Sequence, residues 1–219
     1  MTEQLVEFRQ SIALVDYGEA IISMENRVSR IYDDKQPELL WFLEHPPLYT
    51  AGTSAHALDL IDQHRFPVIK TGRGGKYTYH GPGQRVAYVL MNLQKRGSDV
   101  RKFIWNLEEW IIRALKQLDI CGNRRRDRVG IWIVRRSGRE EKIAAIGVRL
   151  RRWVSYHGIA LNVNPNLEHY SGIIPCGLDS HGITSINDLG IDITMEDVDR
   201  ALKSSYQEVF EVQLQWIGR

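Results

Sequence analysis

Residues 130–134, 142–153 and 154–163 read as three strand-like runs in succession, rich in β-branched and aromatic side chains, with no helical stretch between them. That order breaks the alternation of strand and helix. It argues against a doubly wound parallel sheet and for an α+β fold, a mixed or antiparallel β-sheet flanked by helices. Further strand-like runs fall at 38–44, 68–70 and 85–93. Helical periodicity is clearest over 99–118, where Val100, Phe103, Ile104, Leu107, Trp110, Ile111, Ala114, Leu115 and Leu118 share one face. Ser98 and Asp99 are its N-cap candidates. A second helix is expected over 194–212 and a third over 17–32. There is no internal repeat and no linker rich in Pro, Gly and Ser. A single domain over 1–219 is therefore expected, with a small C-terminal lobe after about residue 175.

A hydrophobic content of 43% over 219 residues supplies a core that needs no disulfide or metal staple. The formal net charge of +2 argues against a general nucleic-acid binder. Cys121 and Cys176 make neither a disulfide framework nor a zinc pattern, so free thiols in a reducing compartment are expected. The N-terminal residues are interrupted by charge where a secretory signal would be apolar, and the longest apolar runs are strand-sized. The expectation is a cytoplasmic protein, or one of an organelle matrix, with no membrane segment.

Two segments carry the candidate chemistry. Residues 72–84 hold five glycines, an arginine and a histidine. Such a segment is either a glycine-rich hairpin turn or a loop whose backbone N–H groups approach a ligand. It is not a P-loop, because no Gly-Lys-Ser/Thr ends it, and it is not a Rossmann fingerprint. Residues 175–185 place Cys176 in a polar loop between Pro175 and Gly177. A lone cysteine is commonly a buried small hydrophobe, and Cys121, at the end of an amphipathic helix, fits that description. A nucleophilic Cys176 would need a partner to stabilise its thiolate and handle a proton. The candidates are His80, His157, His181 and Lys142. Lys142 opens a strand whose Ala144, Ala145 and Gly147 leave space over the sheet, and 157–162 repeats the theme. Two small-residue strands facing a glycine-rich loop make a slot suited to a linear apolar chain.

Taken together, Arg73-Gly-Gly-x-x-Thr78-Tyr-His80-Gly-Pro-Gly-Gln84, Lys142-Ile-Ala-Ala-Ile-Gly147, His157-Gly-Ile-Ala-Leu-Asn162 and Pro175-Cys176-Gly closely resemble the lipoyl(octanoyl) transferases, from roughly Trp41 to Ser185. The resemblance implies the fold of the biotin- and lipoate-ligase group. It implies transfer of an octanoyl group from acyl carrier protein to a lysine on lipoyl domains of 2-oxoacid dehydrogenases and the glycine-cleavage H protein. The family's cysteine–lysine dyad falls on Cys176 and Lys142. Its substrate-contacting segments fall on Arg73, Gly74, Gly75, Lys76, Tyr77, Thr78, Tyr79 and His80, on Ala145, Ile146 and Gly147, and on Gly158, Ile159 and Ala160. Members often carry Val where Ile183 stands and another residue where Ala145 stands. They are often monomeric, and a monomer is expected here.

His80 and His157 are read as pocket-lining hydrogen-bonders, and His45, His56, His64 and His169 as ordinary polar residues. No metal and no cofactor is expected. Arg124, Arg125, Arg126, Arg128, Arg135, Arg136 and Arg139 form a basic region that is either a solvated hairpin or a docking surface for acidic carrier proteins. An ATP-dependent lipoate or biotin ligase, a thiol acyl hydrolase and a non-catalytic carrier-binding module are the competing functions.

Overall fold

A computed structural model describes residues 4–174 and 181–218. In chain order the elements are β1 (Gln4–Gln10), α1 (Tyr17–Tyr32), β2 (Leu39–Leu43), β3 (Leu48–Ala51), β4 (Val68–Lys70), β5 (Tyr77–His80) and β6 (Gln84–Leu90). Then come α2 (Val100–Gln117), β7 (Ile131–Val134), β8 (Glu140–Arg151), β9 (Val154–Asn162), β10 (Gly182–Ile183), α3 (Met195–Phe210) and β11 (Val212–Trp216).

The main sheet runs β10-β8-β9-β6-β2-β1-β11, with β7 paired to β8. It is mixed. β1 pairs in parallel with both β2 and β11, and β10 pairs in parallel with β8, whereas β2–β6, β6–β9, β8–β9 and β7–β8 are antiparallel. A small sheet, β4-β3-β5, carries the glycine-rich loop beside it.

The central strands are buried on both faces, and their period-2 alternation divides the core in two. Leu40 and Phe42 of β2 and Ala87 and Val89 of β6 join α2 and α3 on one side. Trp41, Leu43, Val86 and Tyr88 join Ala20, Met24, Val28 and Ile31 of α1 on the other. The α2 stripe read from the sequence is buried or half-buried, and Asp99 caps the helix by accepting from the Lys102 amide at 3.0 Å. Thr194 and Asp197 form a capping box that starts α3.

The sequence reading needs correction at its end. The segment after 181 is not a separate lobe, because Val198, Ala201, Leu202, Tyr206 and Phe210 enter the main core and β11 extends the main sheet. The helix ends at Phe210, where Glu211 takes a left-handed conformation and turns the chain into β11. α3 is also tied to β6 through Arg85, which donates to Asp199 at 2.7 and 2.9 Å, and Gln10 of β1 donates to the same carboxylate at 2.7 Å. None of the described helices is long and apolar enough to cross a membrane.

Candidate active site

The site grows from two transverse rows on the α1 side of the sheet. Ala145 of β8 pairs with Ala160 of β9, which pairs with Val86 of β6; Gly147, Gly158 and Tyr88 form the next row. Small side chains at these crossings leave a slot. Gly158 is required here, because a Cβ would stand 2.2 Å from the Ala87 carbonyl oxygen. Arg73, Gly75, Lys76, Tyr77, Thr78 and His80 line the slot from the small sheet and its loop, and the enclosed cavity measures about 290 Å³.

Lys142 reaches this cavity through an irregularity in β8. Ile131 pairs with Ala144 but Trp132 pairs with Lys142, so β8 carries one extra residue, Ile143. Ile143 and Ala144 both enter the main core, and Lys142 emerges on the cavity side with Ala145 and Gly147. A bulge re-aims a side chain in this manner. Unbroken alternation would have set Lys142 with Ala144 in the core. The lysine is 5% exposed, and its ammonium lies 4.7 Å from the centre of the Trp132 ring. Gly130 makes room for the stem, since a Cβ there would sit 3.3 Å from Lys142 Cε.

A buried polar network lies at the other end of the rows. His45 donates from Nδ1 to the Val15 carbonyl at 2.6 Å, so its Nε2 accepts from the Tyr88 hydroxyl at 2.6 Å. His80 donates from Nδ1 to Gln84 Oε1 at 2.7 Å, and Gln84 Nε2 donates to Tyr79 O, Asn162 Oδ1 and the Tyr170 hydroxyl. His157 takes a left-handed backbone, φ 63°, and its ring meets Tyr88 edge-on. Burial pushes His45 down to about 4 and His157 down to about 3. Burial, then the neighbouring His45 and Arg73, hold His80 well below the usual imidazole range. Burial raises Tyr88 well above the phenol range and Tyr17 to about 12. The three histidines, Tyr17 and Tyr88 are therefore uncharged at neutral pH, and the charge-bearing side chains of the lining are Arg73, Lys76, Asp127, Arg128 and Lys142. Arg73 is fixed by donating to Thr50 O and Oγ1 at 2.8 and 2.6 Å. An enclosed slot that opens beside a lysine can hold an acyl chain and present its carbonyl to an amine.

The histidines have a consequence for stability. Their folded values lie below the ordinary 6.5, so the unfolded chain binds more protons once the pH drops below that value. Stability is expected to hold above pH 6.5, to fall as the pH drops below that value, and to stop falling on account of His45 once about 4 is passed and of His157 once about 3 is passed. His45 alone contributes about 3 kcal/mol of this loss. His45→Gln, followed by thermal unfolding at pH 7 and pH 4.5, should show a smaller acid loss than the wild type; an equal loss would contradict the assignment.

Most of the expected substrate residues converge on the cavity: Arg73, Gly75, Lys76, Tyr77, Thr78, His80, Ala145, Ile146, Gly147, His157, Gly158, Ile159 and Ala160. Gly74 and Tyr79 do not line it. The Gly74 amide docks the loop on β8 by donating to Val148 O at 3.0 Å. Tyr79 points the other way, into a cluster with Tyr49 and Tyr170, because alternation along β5 sends it opposite Thr78 and His80. Tyr17, Val86, Tyr88 and the loop residues Asp127, Arg128 and Val129 also line the cavity and were not foreseen. Cys176 lies outside the described residues.

Three other expectations change. His45 is fully buried and belongs to the polar network rather than to the ordinary polar surface. Cys121 is exposed rather than a core thiol. The basic region is largely neutralised within the fold, because Arg124 pairs with Glu108 and Glu109, Arg125 and Arg128 with Glu140, and Arg135 and Arg139 with Glu141. Charges engaged in this way offer little to an acidic partner. Among the described residues no group of three or more His, Cys, Asp or Glu side chains is placed to hold a metal.

Comparison with known proteins reaches most of the chain. The lipoyl protein ligase A/B catalytic domain model matches residues 16–207. An octanoyltransferase of Paramagnetospirillum magneticum is 61% identical over 205 residues, which is 94% of this chain and 97% of the relative. The octanoyltransferase of Rhodospirillum rubrum is 56% identical, over 94% of this chain and 95% of the relative. Among solved structures, a bi-partite lipoate protein ligase from Thermoplasma acidophilum has a TM-score of 0.72 at 16% identity and covers 100% of this chain and 88% of that one. A lipoate-protein ligase A bound with ATP gives 0.72 at 16%, covering 100% and 90%. These two likenesses concern the fold.

Proposed function

The chain belongs to the octanoyltransferases of the lipoyl protein ligase A/B catalytic family, and from that premise we propose that it moves an octanoyl group from acyl carrier protein to a lysine of a lipoyl domain through a thioester on Cys176. The observation that carries this reading is Lys142, buried and turned by the β8 bulge toward a slot lined by the small residues Ala145, Gly147, Gly158 and Ala160.

In the first half-reaction the Cys176 thiolate attacks the carrier's thioester carbonyl, the C–S bond to the carrier breaks, and the carrier sulfur leaves as a thiol with the proton of the Lys142 ammonium, which leaves Lys142 neutral for the second half-reaction. The two thioesters are close in energy, so the exchange needs no ATP. The Lys142 ammonium favours the thiolate. Backbone N–H groups of the glycine-rich loop hold the oxyanion. The neutral His80 and His157 line the pocket as hydrogen-bonders and add no charge of their own beside the acyl chain. In the second half-reaction the acceptor lysine attacks as a free amine, the C–S bond breaks, and Lys142 takes up the proton the amine releases.

The test is to mix the purified protein with octanoyl-acyl carrier protein, without ATP, and read its intact mass. A hydroxylamine-labile octanoyl adduct is expected, and Cys176→Ser should lose it. No adduct without ATP, combined with acylation of a lipoyl domain once ATP and magnesium are added, would make the protein a ligase instead.

A further inference from the structure

We propose that Trp132 is a positioning residue for Lys142, its indole face holding the lysine ammonium in place beside a second, permanent cation, Arg128. The inference rests on the reading of Lys142 given above and extends it to a residue that need not touch substrate.

Trp132 is 1% exposed and stands directly opposite Lys142 in the β7–β8 ladder, at the point where the bulge aims the lysine. Two cations rest on its ring: the Lys142 ammonium at 4.7 Å from the ring centre and the Arg128 guanidinium carbon at 4.4 Å. The His181 ring meets the indole edge-on at 5.4 Å. A cation over an aromatic face is attracted by the ring quadrupole, most strongly over indole, and the attraction grows when the pair is withdrawn from water. Two cations brought together without the ring would repel.

Other features fit this role. Arg128 is clamped from outside by its ion pair with Glu140 and by donating to His181 Nε2 at 2.8 Å. It stays charged at any working pH, so of the two cations only Lys142 can release a proton. The Trp132 indole N–H has no acceptor among the described residues. A buried donor without a partner is costly, and phenylalanine would avoid that cost. Among the described residues the indole therefore acts on its surroundings through its face rather than through a hydrogen bond. The surroundings are charged but largely engaged. Glu140 and Glu141 on β8 are held by Arg125, Arg128, Arg135 and Arg139; Asp127 faces Arg128; Glu108 of α2 accepts from the Gly130 amide against the lysine stem; His181 precedes β10.

The experiment follows the rate of self-octanoylation from octanoyl-acyl carrier protein across pH, by intact mass, alongside thermal unfolding. Removing the ring in Trp132→Leu withdraws support for the ammonium. The alkaline limb of the profile should move about one pH unit lower, with a roughly tenfold loss of rate on the limb itself and little change at pH values well below it. Trp132→Phe should restore most of both. Arg128→Met removes the repelling cation and should move the limb upward, the opposite sign, which gives a second reading if the leucine variant does not fold. A limb that stays in place in folded Trp132→Leu, or that moves the same way in Arg128→Met, overturns the proposal. Lys142→Ala separates the two levels. If that variant keeps wild-type rates, the role given to Lys142 falls and Trp132 falls with it. If it loses activity while Trp132→Leu leaves the limb unmoved, only the role of Trp132 is overturned.

Discussion

Lys142→Ala is expected to lower octanoyl transfer to a lipoyl-domain lysine by about a thousandfold, within the range typical of a lost proton-transfer group. The loss should fall on kcat, with the KM for the carrier little changed, because the acyl chain is held by the Ala145–Ala160 and Gly147–Gly158 rows rather than by the lysine. Both half-reactions should suffer, the first through loss of the cation that favours the thiolate and the second through loss of the base. Lys142→Arg is the sharper test. It keeps a cation in place but cannot release a proton. It should therefore retain part of the self-octanoylation rate and little of the transfer to the acceptor. Single-turnover kinetics resolve the two steps, and an arginine variant that acylates acceptor at the wild-type rate would remove Lys142 from the base role.

The second large effect is on stability. Asp199→Ala should cost about 3–5 kcal/mol, the usual consequence of leaving one member of a buried ion pair without its partner. The side chains of Arg85 and Asp199 are 4% and 3% exposed, and the pair joins β6 to α3 across the main core. Arg85 donates to Asp199 from Nε and Nη2, and its Nη1 has no hydrogen-bond partner among the described residues, so Asp199 carries the hydrogen bonding of the buried guanidinium. Thermal unfolding should fall by roughly 10 °C or more, given about 2–4 °C per kcal/mol for a chain of this size. Replacing both partners, as Arg85→Met with Asp199→Leu, should recover much of the loss, because no stranded charge remains. If the single and double replacements unfold at the same temperature, the pair is not what holds α3 to the sheet.

The sheet and the slot were legible in the sequence for different reasons. β8 and β9 announce themselves by length and by their β-branched content, and the small residues 145, 147, 158 and 160 mark the slot, whereas Ala144, expected to do the same, turns into the main core. α2 is plain because one face is apolar over its whole length. β1 and β11 were missed: β11 is the edge strand and β1 the one beside it, and both have exposed residues among the buried ones, so neither gives a clean alternation. The orientation of Lys142 was not legible either. A period-2 reading of 142–147 places it with Ala144, and only the pairing of Ile131 with Ala144 and of Trp132 with Lys142 reveals the extra residue. Tyr17, Tyr88 and His45 come from three different elements, and no spacing in the chain links them.

The parallel ladder of β1 with β11 joins Gln4 to Val212, so its two halves come from opposite ends of the chain. Closing so long a loop carries a large entropic cost, and contacts of this kind are the slowest to form. As the polypeptide emerges from a ribosome, β1 can settle against β2 early. Its outer edge then stays unpaired until nearly all the remaining residues have been made and α3 has docked. The sheet is thus completed from its middle outward in space but from both ends at once in sequence. An unpaired edge is a site for misplaced strand pairing, and in this molecule that interval lasts almost as long as synthesis itself.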